Sequence, residues 1–249
     1  MQAQRSEFIL KELQLGKPLK VTELSQRLQV SVDTVRRDLK ALDASGLIKY
    51  VRGGACLPDA LQSFSHFKGR EIINSDLKRE AARKAVSFVT EGAVVALNSG
   101  TTNTILAQEL LALNFSFTVV TNNLAAANIL LGNDHIELYA IGGRVDLKER
   151  STCGSQCVKE FSEYMPDLAF LSVNAVNLNE GFTDFRLNEI PVMQALARNS
   201  KRVIAVLDSS KLNKLSKKKA LELNEADVLV TDSRARGLEL YAKAGLSVS

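Results

Sequence analysis

The sequence predicts a small, mostly helical domain over residues 1–58, a linker over 59–74, and an α/β domain with a mostly parallel sheet over 75–249. Three observations lead there. Residues 1–58 hold ten Lys/Arg against six Asp/Glu, an excess equal to the +4 of the whole chain, so the remainder is balanced. Apolar residues of that first segment recur at helical spacing. Beyond residue 75, short apolar runs alternate with amphipathic stretches, the pattern of buried strands covered by helices.

A first helix is predicted over residues 2–14, where Phe8, Ile9 and Leu13 form an apolar stripe, and Gly16–Pro18 breaks it. A second helix, "TELSQRLQ", has Thr22 as its expected N-cap and Leu24 and Leu28 on one face. Ser31 is the N-cap of a third. There Val35, Leu39 and Leu42 repeat at i, i+4 and i+7 and face inward. At roughly 100° per residue, Asp33, Arg37 and Lys40 fall on the opposite side, with Thr34 and Arg36 on the flanks. Ala44–Gly46 ends this helix, with Gly46 as the C′ residue. "LIKYVRGGACL" then reads as two short strands around Arg52-Gly53-Gly54. Two short helices joined by a tight turn, the second cationic outside, make a helix-turn-helix, and the strands add a wing. The second helix of such a unit enters the major groove of DNA. The face expected to meet DNA is Ser31, Asp33, Thr34, Arg36, Arg37 and Lys40, with Lys49 and Arg52 on the backbone from the wing. Arginine suits this role because its planar fork holds guanine O6 and N7, or a phosphate, bidentately.

The stretch "VSVDTVRRDLKALDASGLIKYVRGGA" resembles the winged helix-turn-helix of DeoR-type bacterial transcriptional regulators, in its Arg36-Arg37-Asp38-Leu39 core and its Gly53-Gly54-Ala55 wing. The resemblance implies binding to double-stranded operator DNA.

"LPDALQSFSHFKGR" at 57–70 has no clear period and reads as linker. Six apolar runs follow a helix at "NSDLKREAARKAVSFV": 93–97, 117–121, 136–141, 168–173, 202–207 and 227–231. In open parallel sheets, ligands bind beyond the carboxyl ends of the strands. Four such ends carry small polar residues, glycine pairs or an acid–base pair. After "VVAL" stand Asn98, Ser99, Gly100, Thr101 and Thr102, opening a helix. The next two runs are followed by Thr121, Asn122 and Asn123, and by Gly142, Gly143 and Arg144; after "IAVL" come Asp208 and Lys211. A helix start lined with small residues lets backbone N–H groups approach an anion. Their shared location at one sheet edge predicts a pocket for a small anionic metabolite, with Asn174 also facing it.

This half resembles the DeoR-type effector domain, whose fold is related to ribose-5-phosphate isomerase. "LNSGTT", "VVTNNL", "IGGRV", "PDLAFLS", "EGFT" and "DSSK" match its blocks in order. The resemblance implies a Rossmann-like sheet that senses a phosphorylated sugar or related metabolite and releases DNA on binding it. It implies repression of sugar or nucleoside catabolism genes. Two departures stand near the expected pocket: Val173-Asn174-Ala175-Val176 replaces a Gly-Ala-x-Gly run, and Met193 stands where the family commonly places a lysine.

Other classes are disfavoured. No apolar run approaches the ~18 residues of a membrane span, and "MQAQRSEF" lacks a signal-peptide core, so a cytoplasmic protein is expected. Cys56, Cys153 and Cys157 stand apart from His66 and His135 and read as free thiols, not a metal site. Without a Walker A or G-x-G-x-x-G pattern, no nucleotide cofactor is expected. The competing class is a phosphosugar isomerase-like enzyme carrying a DNA-binding head, with Asp208 and Glu189 as available bases. Paired half-sites, the usual target of such modules, call for a homodimer or homotetramer joined through the large domain.

Overall fold

The computed structural model describes residues 2–14, 19–51, 53–56 and 67–249. The Gly16–Pro18 break and Arg52 lie outside the described residues, as do residues 57–66 of the linker. The chain divides into two compact units, Met1–Ser75 and Asp76–Ser249.

In the first unit, α1 (Gln2–Gln14) leads to β1 (Leu19–Lys20), α2 (Val21–Leu28), α3 (Val32–Ala44), β2 (Lys49–Val51), β3 (Gly54–Cys56) and α4 (Phe67–Ile72). This last helix falls within the stretch read as linker, and its Phe67 is buried. Ile9, Leu10, Leu13, Leu24, Val35, Leu39 and Leu42 meet in one core, as their periodicity requires. Ser31 caps α3, its Oγ accepting from the Thr34 N–H at 3.2 Å. Gly46 follows the helix with φ +70°, the C′ conformation that favours glycine.

Thr22 is not the cap of α2. The helix begins at Val21, directly from β1, and Lys20 flanks it without a side-chain cap. The wing supplies what a cap would: the Val21 N–H donates to the Gly53 carbonyl at 2.9 Å. At the other end Gln29 takes φ 52°, and the Ser25 hydroxyl donates to the Val30 carbonyl at 2.6 Å, fixing the tight turn into α3.

Asp38, outwardly one more polar residue of α3, is 3% exposed. It accepts from Arg5 Nε at 2.6 Å and Nη2 at 3.1 Å, a bidentate pair that ties α1 to the helix expected to read DNA. The wing strands form an antiparallel sheet in the order β1-β3-β2. A Cβ at Gly54 would stand 2.0 Å from the Leu19 carbonyl oxygen, so only glycine lets β1 approach β3.

The second unit is built on a seven-stranded sheet. Its elements are α5 (Ser75–Val86), β4 (Val94–Leu97), α6 (Thr101–Leu110), β5 (Phe117–Thr121), α7 (Leu124–Leu130), β6 (Ile136–Ala140), β7 (Arg144–Asp146), β8 (Ser151–Cys153), α8 (Ser155–Phe161), β9 (Leu168–Ser172), β10 (Ala175–Asn177), β11 (Gly181–Asp184), α9 (Ile190–Asn199), β12 (Arg202–Val206), β13 (Lys218–Leu221), β14 (Val228–Val230), α10 (Leu238–Lys243) and β15 (Ser247–Val248). The main sheet runs β15-β14-β12-β9-β4-β5-β6, with every neighbouring pair parallel.

Successive residues of the inner strands enter opposite cores. Val95 and Leu97 pack with Leu106, Leu110 and Ala126 on one face. Ala96 packs with Phe161, Val192 and Leu196 on the other. Both faces are therefore covered, which explains why the strands read as unbroken apolar runs. Absent from that reading are the seventh strand of the main sheet, β15, the antiparallel β10-β11-β13 sheet and the β7-β8 hairpin.

From β4 the chain winds one way through β5 and β6; from β9 it winds the other way through β12, β14 and β15. The carboxyl ends of β4 and β9 are thus the topological switch point, where ligands of doubly wound sheets sit.

Gly54→Ala should force β1 away from β3. Overpacking of this kind costs about 1–3 kcal/mol. Thermal unfolding of the full chain should show an early transition in the first unit; an unchanged melting profile would show that β1 yields without cost.

Candidate functional site

At the switch point, β4 is followed by Asn98 and Ser99, which are fully buried. Asn98 bridges to the neighbouring strand. Its Oδ1 accepts from the Ser172 N–H at 2.8 Å and its Nδ2 donates to the Ser172 carbonyl at 3.2 Å. Asn103, in the first turn of α6, donates to Asn98 Oδ1 and to the Phe170 carbonyl, both at 2.8 Å. Between them Gly100 holds φ +136°, and a Cβ there would lie 2.5 Å from Ser172 Oγ. The turn can be this close to β9 only because it has no side chain.

The loop after β5 locks onto the same turn. Thr121 Oγ1 donates to the Leu97 carbonyl at 2.7 Å. Asn123 donates to the Gly100 carbonyl at 3.2 Å and caps α7, its Oδ1 accepting from the Ala126 N–H at 3.0 Å. Asn122 donates to the Thr152 carbonyl at 2.8 Å.

Sequence pattern did not point to the charged centre of this cluster. Arg186 is 6% exposed. Its Nη1 donates to the Ser99 carbonyl at 2.8 Å and its Nη2 to the Ser172 carbonyl at 2.7 Å, while Nε and Nη2 hold Asp184 at 3.0 and 2.7 Å. Asp184 also accepts from the Asn174 N–H at 3.0 Å. Glu189, expected only as an available carboxylate, accepts from the Ser99 N–H at 2.8 Å and from Asn122 Nδ2 at 3.2 Å. One carboxyl group of the protein thus already sits on the turn that opens α6. The available signal was three charges at 184, 186 and 189 enclosed by apolar Phe182 and Ile190.

These groups titrate in opposite senses. Burial opposes ionisation of Asp184, but the Arg186 guanidinium outweighs it and holds the carboxyl below its ordinary range. Burial pushes Glu189 up, only partly offset by Arg186 and the Ser99 and Asn122 donors. The Arg186 charge is the strongest influence favouring ionisation of Glu189, yet desolvation outweighs it.

The remaining expected residues are placed unevenly. Thr101 and Thr102 are buried in the first turn of α6. Thr102 Oγ1 and Asn122 Oδ1 are buried with no hydrogen-bond partner among the described residues. Lys211 donates to the Val173 carbonyl at 3.3 Å, placing its charge beside the loop after β9. Asp208 caps its own turn, accepting from the Ser210 N–H at 3.2 Å. Gly142 and Gly143 are half-buried and lie one step away: Thr152, which receives Asn122, donates to the Ile141 carbonyl at 2.6 Å. Arg144 is exposed in the hairpin. Met193 is fully buried in the core with Phe161 and Leu196. Cys153 and Cys157 are buried free thiols, and burial raises Cys157 to about 12.

On α3 the expected DNA face is solvent-exposed at Ser31, Asp33, Arg36, Arg37 and Lys40, and half-buried at Thr34. Lys49 is exposed at the start of the wing. Among the described residues, neither Arg37 nor Lys40 forms an ion pair.

A helix-turn-helix with a cationic outer helix, joined to an α/β unit whose switch point is lined with buried polar groups, defines a two-domain transcriptional regulator. Residues 5–60 match the DeoR-like helix-turn-helix domain and residues 73–233 the DeoR C terminal sensor domain. The chain belongs to the DeoR family. It is 32% identical to the HTH-type transcriptional regulator GolR of Listeria innocua, over 98% of this chain and 97% of that one. It is 34% identical to the HTH-type transcriptional repressor GlcR of Bacillus subtilis, over 93% and 88%. Among solved structures, ribose 5-phosphate isomerase A of Methanocaldococcus jannaschii is 21% identical with a TM-score of 0.43, covering 58% of each chain. No helix among the described residues is long and apolar enough to cross a membrane.

Glu189→Gln tests the electrostatics of the cluster. A carboxyl whose folded pKa is raised contributes stability below its unfolded value, about 4.3, and loses it as pH rises through the folded value. The variant keeps the neutral form, so its stability relative to wild type should grow from pH 4 upward and then level off. Urea unfolding at pH 4, 6 and 8 reads this; a pH-independent difference would mean Glu189 is not desolvated. The Asp184 contribution, lost as pH falls, is common to both proteins and cancels.

Proposed function

We propose that this protein is a cytoplasmic repressor of genes for sugar or nucleoside catabolism, released from operator DNA by a phosphorylated sugar bound at the β4–β9 switch point. The observation that carries it is the unsatisfied buried hydroxyl of Thr102 in the first turn of a ten-residue helix. That turn offers N–H donors and a partial positive charge to an anion. The Ser99 N–H is held by Glu189, so the phosphate takes the Thr101 and Thr102 end of the turn. Asn122 Oδ1 and Glu189 face the sugar hydroxyls, and Lys211 supplies a point charge at the β9 side. Asn98, Asn123 and Asn174 act by holding the loops in place.

The same polar groups would suit an isomerase, which needs a base beside the carbon that loses its proton. The protein is proposed not to be an enzyme: a sensor needs the sugar only bound, and a DNA-reading head on the same chain is explained by sensing. A homodimer or homotetramer is proposed, because one helix-turn-helix reads only a half-site.

Thr102→Val separates ligand binding from folding. Removing a buried hydroxyl that lacks a partner should leave the unliganded protein as stable or slightly more so. Wild type in a panel of three- to six-carbon sugar phosphates should show one or more thermal shifts, corresponding to about 2.7 kcal/mol at 100 times Kd. Thr102→Val and Lys211→Ala should lose the shift while still binding DNA, and the free sugars should give none. Retention of the wild-type shift in both variants would move the site elsewhere; turnover of the shifting compound would favour the enzyme.

A further inference from the structure

Asp33 is an acid in the middle of the cationic face of α3. It is 77% exposed and accepts from Arg36 Nη1 at 3.1 Å, with Arg36 itself 55% exposed. The pair sits in the first turns of the helix, the part that reaches base edges when such a helix enters the major groove. It carries no net charge, so it adds nothing to attraction for phosphate. That attraction is left to Arg37, Lys40 and Lys49. A carboxylate beside phosphates costs binding energy unless it meets a donor; of the amines in the major groove, adenine N6 stands beside the N7 acceptor, which repels an acid, whereas cytosine N4 has no such acceptor on its own base. An arginine held by a neighbouring carboxylate also loses less side-chain freedom when it engages guanine. The register of the pair is fixed from below: Ser31 and Thr34 share a hydroxyl–hydroxyl bond at 2.8 Å that closes the first turn, and Asp38 anchors the next through Arg5.

We infer that Asp33 and Arg36 form a reading pair, in which Arg36 takes a guanine and Asp33 takes a cytosine amine at the adjoining base step, while Arg37 and Lys40 hold the phosphates. The inference rests on the DNA-reading role of α3 and assigns which of its residues choose sequence.

Full-length wild type, Asp33→Ala and Asp33→Asn are each used to select bound duplexes from a random-sequence pool. Wild type should enrich half-sites with a guanine next to a position of cytosine preference. Asp33→Ala should lose the cytosine and weaken the guanine. Asp33→Asn should move the cytosine preference toward adenine, which an amide reads through N6 and N7. The affinity ratio of the wild-type-selected duplex over a scrambled one should fall about five- to 150-fold in Asp33→Ala, the range of one good base contact. Identical motifs from wild type and Asp33→Ala would overturn the pair while leaving DNA reading intact. So would an Asp33→Ala protein that binds selected and scrambled duplexes more tightly by the same factor, since Asp33 would then only repel phosphate. A wild type that enriches no motif would overturn base reading itself, and the pair with it.

Discussion

The guanidinium of Arg186 organises the sensor domain. A buried cation must be paired and must spend its donors, and this one does both: two on Asp184, the others on the Ser99 hydroxyl and the carbonyls of Ser99 and Ser172. Those carbonyls lie at the carboxyl ends of β4 and β9, the two strands between which the winding of the chain changes sense. The ion pair therefore fixes the crevice that the topology creates. Removing one member of such a pair usually costs about 3–5 kcal/mol, because the other is left buried and uncompensated. Glu189 is then the group free to respond. It is buried without a cation of its own, and it holds a backbone donor beside the helix start where an anion would arrive.

The DNA-binding unit obeys a related rule at a smaller scale. Its cationic helix is positioned by a buried acid: Asp38 receives the fork of Arg5 from α1. The close passage of β1 over Gly54 and the bond from Val21 to Gly53 seat the wing against the start of α2. Backbone contacts thus replace a side-chain cap, and the recognition helix is held at both its core face and its polar face. The outer side is left to chemistry with DNA.

Much of this was legible in the sequence because it depends on periodicity. Val35, Leu39 and Leu42 mark the inner side of α3, and unbroken apolar runs mark strands covered on both faces. The strand ends with Asn98 to Thr102 and Thr121 to Asn123 were legible because parallel sheets place their ligands there. Periodicity is silent about partners distant along the chain. Asp38, i+3 from Val35 and i−4 from Leu42, stands on the buried side of α3, but the partner that neutralises it, Arg5, lies far along the chain. Asp184 ends β11 and Arg186 lies in the loop after it, where their charges resemble solvent-facing ones until the fold brings Ser99 and Ser172 against them. Thr22 has the composition of a cap but is displaced by a strand that feeds directly into the helix.

The account stands or falls on whether the turn that opens α6 receives the ligand. Hydrogen–deuterium exchange of the full chain, with and without the sugar phosphate that gives the largest thermal shift, measures this at peptide resolution. Peptides covering residues 98–104 and 121–123 are predicted to slow their exchange on ligand addition more than any other part of the sensor domain. Slowed exchange confined to other segments, with the 98–104 turn unchanged, would contradict it.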